Sequence, residues 1–185
     1  RIDQDDPLLI EQIQSRILPR RGVWAHTNEI LVTLGAQQAL YLIADLLLDE
    51  HQTVGIEEPG YPDARNIFLS RTARLQPFAV DDEGIVPSNE LGRCQCLYLT
   101  PSHQFPTTVT LSRARREALL DAARNENFVI IEDDYESEHN FRGGPTPALK
   151  SLDRDGVVVY IGSLSKTLAP GLRMGFMTGP AHFIR

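Results

Sequence analysis

The sequence predicts an α/β fold: an open, mostly parallel sheet of roughly seven strands with helices on both faces. Three observations carry that expectation. Short apolar, β-branched runs such as Phe128–Ile131 and Val157–Ile161 read as strands buried on both sides. Stretches with apolar residues at helical spacing lie between several of them, the strongest carrying Ala39, Leu40, Ile43, Leu46 and Leu47 on one face. Strands that alternate with helices pair in parallel, because each return to the sheet needs a crossover.

Taken in order, Pro7–Leu18 carries Leu9, Ile10, Ile13 and Ile17 on one side, with Pro7 suited to a first helical position and Pro19 as a stop. Ile30–Leu34 is a strand that passes through Gly35 into the strong helix. Thr53–Glu57 is the next strand, closed by a turn at Pro59-Gly60-Tyr61-Pro62. Arg74–Val80 and Cys96–Thr100 are further strands, and Ser112 is placed to cap a helix that reaches about Asn125. Phe128–Ile131, Val157–Ile161 and a shorter Met174–Thr178 complete the set. Linkers are short apart from the Gly- and Pro-rich stretch Asn140–Asp155. With no internal boundary or repeat, residues 1–185 read as a single domain, and as a piece of a longer protein.

A chain of 185 residues, 42% of them hydrophobic, can bury a real core. Its net charge of −7 argues against this segment holding nucleic acid or an anionic membrane. The one basic knot, Arg113, Arg115 and Arg116, reads as the solvated face of a helix. No apolar run approaches the roughly 18–20 residues of a membrane span, and no signal peptide is visible. Cys94 and Cys96, one residue apart, suggest neither a disulfide framework nor a zinc site, so reduced thiols in a cytoplasmic protein are the expectation.

Function is concentrated in the run from Tyr160 to Gly175. A buried strand ends at Gly162 and is followed by Ser163, Ser165, Lys166 and then Arg173. Hydroxyls and a guanidinium gathered around one amine suit an anionic phosphate whose other end is a carbonyl. The amine of Lys166 forms a Schiff base with the carbonyl, while Ser163, Ser165 and Arg173 hold the phosphate. Pyridoxal 5'-phosphate (PLP) is the cofactor that fits. Lysine is not a generic surface charge here: Lys150 and Lys166 are the only two among 18 lysines and arginines. Lys150, in a polar segment, reads as solvated.

Other places suit the same cofactor. Leu34-Gly35-Ala36-Gln37-Gln38 puts free backbone N–H groups at a helix N-terminus, a geometry that binds phosphate without a charged side chain. In Ile131-Glu132-Asp133-Asp134-Tyr135, carboxylates stand just past an apolar strand. A protonated pyridine nitrogen needs one of them; Asp133 is the choice, with Tyr135 as donor to the ring's phenolate oxygen, while Asp134 and Glu136 read as solvated. Tyr61, between prolines, is placed to stack on a flat ring.

With these residues in hand, the chain resembles the large domain of fold-type-I PLP proteins of the aminotransferase class I/II family. Within it, the chain is most similar to the aminotransferase-like domain of MocR-type transcriptional regulators, a branch of the GntR family. The pointers are Leu34-Gly35-Ala36-Gln37-Gln38-Ala39-Leu40, Glu58-Pro59-Gly60-Tyr61-Pro62, Thr100-Pro101-Ser102-His103-Gln104-Phe105-Pro106-Thr107 and Ile131-Glu132-Asp133-Asp134-Tyr135-Glu136-Ser137-Glu138. The resemblance implies that Lys166 carries the cofactor, Asp133 meets the pyridine nitrogen, Tyr135 the phenolate oxygen and Tyr61 the ring face. It implies phosphate contacts at Ala36, Gln37, Ser163 and Arg173, an antiparallel last strand and a homodimer. It also implies an amino acid or amine ligand, a substrate-clamping small domain beyond this chain, and DNA binding only through a winged helix-turn-helix that precedes it. Two departures stand out. Phe105 occupies the place of an asparagine that ordinary aminotransferases use on the cofactor, and Thr108 that of a glycine. A regulatory effector domain, a working aminotransferase that uses Lys166 as proton carrier, and a binding module without PLP are the three readings that follow.

Overall fold

The computed structural model describes residues 5–135, 147–164 and 173–184. Among them are eight strands: β1 Ile30–Thr33, β2 Val54–Glu58, β3 Leu75–Asp81, β4 Gly84–Ile85, β5 Cys96–Leu99, β6 Val129–Asp134, β7 Val158–Ser163 and β8 Gly175–Thr178. They form one sheet in the order β1-β8-β7-β6-β5-β2-β3-β4. Pairing is parallel from β3 through β2, β5 and β6 to β7. β8 runs antiparallel to β7 and to β1, as the family resemblance implied. The strand beyond those anticipated is β4, a two-residue return along β3 too short to leave a periodic signal.

The longer helices are α1 Pro7–Gln12, α2 Gly35–Leu47, α3 Pro62–Leu69 and α4 Arg113–Glu126, with a short α5 at Ala181–Ile184. Asp6 caps α1 by accepting from the Leu8 amide at 2.8 Å. The chain stays helical beyond α1, as a π turn over Ile13–Ile17 and a 3-10 turn over Leu18–Arg21 that Gly22 ends at φ 69°. Pro19 therefore does not stop this segment. It sits in the first turn of the 3-10 piece, where a missing N–H leaves no bond unmade. α3 was hidden behind the proline turn: Pro62 is its first residue and Tyr61 its extended N-cap.

The strand period of two distributes the core over both faces. Cys96, Tyr98, Ile131, Val159 and Ile161 face α2 and α3, where they pack with Leu40, Ile43 and Phe68. Leu97, Leu99, Ile130 and Val158 face the other way, toward Leu119 and Ala123 of α4. Ile10, Ile13 and Leu18 cover Tyr160 and Phe176 at the remaining end.

Three solvated readings are corrected by burial. Arg116 is buried and donates to the carbonyls of Leu111, Pro147 and Pro101, so it ties α4 to two loops; only Arg113 of the basic knot stands in solvent, paired with Glu117. Asp134 is buried and accepts from Arg21 Nε and Tyr160 Oη, both at 2.7 Å. Lys150 pairs with Asp153 at 2.9 Å and donates to the Val158 carbonyl. Each polar group is held by specific bonds inside the fold, which periodicity of apolar residues cannot reveal.

Candidate functional site

The topology collects the candidate residues at one edge. β2, β5, β6 and β7 all end there, so the segments after Glu58, Leu99, Asp134 and Ser163 share it. Because β8 is antiparallel, its beginning reaches the same edge and brings Arg173 with it, next to Ser163 of β7 through the Ser163–Gly175 register. β1, antiparallel to β8, ends there too and delivers the N-terminus of α2. Gly175 makes this crossing close: a side chain there would meet Gly35 Cα at 3.0 Å and the Gly162 carbonyl oxygen at 3.1 Å. Gly35 itself begins α2 at φ 76°, a left-handed conformation that suits glycine.

Two adjoining cavities occupy the edge. One of about 510 Å³ is lined by Ala36, Gln37, Leu40, Tyr61, Thr100, His103, Gln104, Phe105, Pro106, Thr108, Asp133 and Tyr135. The other, about 350 Å³, is lined by Leu34, Gly35, Ala36, Gln37, Tyr61, Ser163 and Arg173. They share Ala36, Gln37 and Tyr61, and together form a trough with a carboxylate at one end and a cation, a hydroxyl and helix N–H groups at the other. The sizes are those of small-molecule sites, roughly 300–1,000 Å³. Of the residues singled out from the sequence, Ala36, Gln37, Tyr61, Asp133, Tyr135, Ser163 and Arg173 all line this trough. Ser165 and Lys166 lie outside the described residues.

The walls are held by specific contacts. Tyr61 Oη donates to Asp63 at 2.9 Å, and Gln37 Nε2 donates to the same carboxylate at 2.9 Å. Burial, together with the charge of Asp63, raises the Tyr61 phenol above its usual range, so it stays a neutral donor. The Gln37 side chain is thereby engaged with α3, which leaves its backbone, with that of Ala36, as the group presented to an anion. Phe105 turns its ring into the cavity wall, 5.5 Å from the Tyr61 ring and 6.5 Å from the Tyr135 ring, both edge-on. His103 stands 6.2 Å from Tyr135. The position that carries an asparagine in ordinary aminotransferases is thus an apolar wall.

The loop that presents Phe105 is built on three residues whose role the sequence reading missed. Glu57 Oε2 accepts from the Thr100 amide at 3.1 Å and from Thr100 Oγ1 at 2.7 Å, and Thr100 Oγ1 accepts from the Phe105 amide at 3.1 Å. Gln104 donates to the carbonyls of Pro59 and Phe105 and accepts from Thr107, which folds the loop on itself. Burial raises the Glu57 carboxyl to about 7 against these hydrogen bonds, and the charge of Asp133 adds to the rise. Thr108, where glycine is usual, takes φ 66°, so the turn keeps the left-handed form that a β-branched residue disfavours. Tyr98 Oη donates to Asp133 Oδ2 at 2.8 Å in the buried floor.

The donor set decides what this trough can hold. A buried carboxylate at one end suits a protonated ring nitrogen. The aromatic middle suits a flat ring, and the Arg173 and α2 end suits a dianionic phosphate. The residues therefore fit a phosphorylated aromatic cofactor.

Comparison with known proteins agrees. The family model for aminotransferase class I and II matches residues 2–185. The chain is 47% identical to the HTH-type transcriptional regulator TauR of Rhodobacter capsulatus, over 98% of this chain and 38% of that protein. It is 38% identical to the probable rhizopine catabolism regulatory protein MocR of Rhizobium meliloti, over 94% of this chain and 36% of that protein. Among solved structures, the Pyrococcus horikoshii kynurenine aminotransferase, in complex with PMP, superposes with a TM-score of 0.85 at 33% identity, covering 96% of this chain and 45% of that one. The chain thus spans less than half the length of each of these three proteins, and in fold and sequence it belongs to the aminotransferase class I and II family.

Proposed function

We propose that this domain is the PLP-binding effector domain of a MocR/GntR-type transcriptional regulator. The observation that carries the reading is a trough that brings Ala36, Gln37, Tyr61, Asp133, Tyr135, Ser163 and Arg173 together with Phe105 in its wall, in a chain whose regulator relatives reach 47% identity. When bound, PLP supplies a carbonyl for an amine and a ring that withdraws electrons. Lys166 would hold the cofactor through that carbonyl, its amine replacing the carbonyl oxygen with release of water. Asp133 holds the proton on the ring nitrogen, Tyr135 donates to the phenolate oxygen and Tyr61 covers the ring. The backbone of Ala36 and Gln37 binds the phosphate with Ser163, Ser165 and Arg173. An amino acid or amine that displaced Lys166 from the carbonyl would shift the domain between two states, and a DNA-binding domain outside residues 1–185 would read the shift.

The same reading expects a cytoplasmic homodimer. Leu34, Tyr41 and Leu46 are exposed on and beside the outer face of α2, which suits a second copy placed against the trough. The test is DNA binding by the full-length protein to a pool of upstream fragments from its own genome. PLP is expected to change the affinity or the footprint. Full-length protein that binds no fragment, with or without PLP, contradicts the proposal.

The aminotransferase reading is favoured by one specific observation: Asp133, Tyr135, Ser163 and Arg173 line adjoining cavities at one edge of a fold shared with the kynurenine aminotransferase. Conversion of bound PLP to its amine form by any amino acid in a panel would establish it.

A further inference from the structure

Resting on the PLP reading above, we infer that Tyr98 is the positioning residue that keeps Asp133 ionised and aimed into the trough. Tyr98 is the third residue of β5 and faces the α2 and α3 layer. The β5–β6 register pairs it with Ile131, so Asp133 lies two residues further along on the same face. That diagonal is within reach of a long side chain. The phenol spans it and donates to Asp133 Oδ2 at 2.8 Å.

The surroundings leave the hydroxyl little other purpose. The ring is 2% exposed and packs edge-on against Phe68 at 5.7 Å, a contact that phenylalanine would make equally well. A buried hydroxyl is costly unless it is hydrogen-bonded, and the partner here is Asp133. Burial first, then the charge of Asp133, hold the phenol well above its usual ionisation range, so it remains a donor. A neutral donor on a carboxylate favours the charged form and fixes its rotation. Two described neighbours of Asp133 work differently. Glu57 on β2 opposes ionisation when it is itself charged, and Tyr61 at the start of α3 is turned to Asp63. Tyr135 lies two residues further on.

The experiment is Tyr98→Phe in the full-length protein, which keeps the ring and its contact with Phe68. Two quantities are read: the PLP dissociation constant, and the midpoint of the Asp133 carboxyl followed by ¹³C NMR against pH before PLP is added. The expected result is PLP retention weakened roughly tenfold, the scale of one hydrogen bond to a charged group, together with a raised Asp133 midpoint. A Tyr98→Phe protein whose midpoint does not move, or whose PLP retention equals that of wild type, overturns the inference. If wild type itself binds no PLP, the functional reading fails, and the midpoint alone decides whether Tyr98 governs Asp133.

Discussion

Glu57 shows how a single buried side chain makes the loop over the trough sensitive to pH. Its carboxyl is buried, raised to about 7 from an ordinary 4.5, and holds Thr100, which in turn holds the Phe105 amide. Because the folded state keeps a proton that the unfolded chain releases, the native form binds more protons between pH 4.5 and about 7. Stability contributed by the neutral form is therefore present below 4.5 and lost as pH rises toward 7, by an amount on the order of 3 kcal/mol. Glu57→Gln carries a permanently neutral group of the same shape. Urea unfolding at pH 5 and pH 7.5 is expected to show a smaller loss across that interval in the variant than in wild type; equal losses would contradict the assignment. Residue-scale legibility was uneven. Asp133 was readable because a carboxylate after an apolar strand is conspicuous. Tyr98 was available from the strand period and was passed over. Glu57 gave no signal, since its role depends on Thr100, 43 residues away.

At the scale of elements, the buried charges act as fasteners between segments distant in sequence. Arg21, at the end of the N-terminal helical segment, donates to Asp134 at the end of β6 and to Ser102 at 2.6 Å in the loop that leads to Phe105. β6 thus carries two neighbouring carboxylates on opposite faces, Asp133 toward the trough and Asp134 toward Arg21, as its period of two requires. Replacing Arg21 with methionine leaves Asp134 buried without its cation. Arg21→Met is expected to cost about 3 kcal/mol or more in urea unfolding, and adding Asp134→Asn is expected to restore part of it. A single variant within about 1 kcal/mol of wild type would show that the pair does not fasten these segments. The strands of the parallel sheet and α2 were legible from apolar spacing, and α4 from Ser112 as its cap. α3 was not, because prolines that read as a turn also start helices, and the fasteners were not, because solvated and buried arginines look alike in a sequence.

For the whole molecule, the sheet order explains why a residue near the end of the chain can meet one from its first quarter. The antiparallel β8 returns Arg173 to the edge where the parallel strands end, and β1 brings Gly35 and Ala36 beside it. Periodicity marks that these strands exist and is silent on their order; alternation with helices implied parallel pairing, and the antiparallel last strand came from the resemblance, which rested on four short motifs. The trough assembled at that edge is the claim on which the functional reading depends, and Lys166 is its test. The most direct measurement is the visible absorption spectrum of the full-length protein with PLP, wild type beside Lys166→Ala. A visible absorption band marks PLP joined to a lysine. The expected result is that band in wild type and its loss in Lys166→Ala, with the fold of the variant intact by circular dichroism. A band of equal strength in both proteins, or in neither, would contradict the assignment of the trough as a PLP site anchored on Lys166.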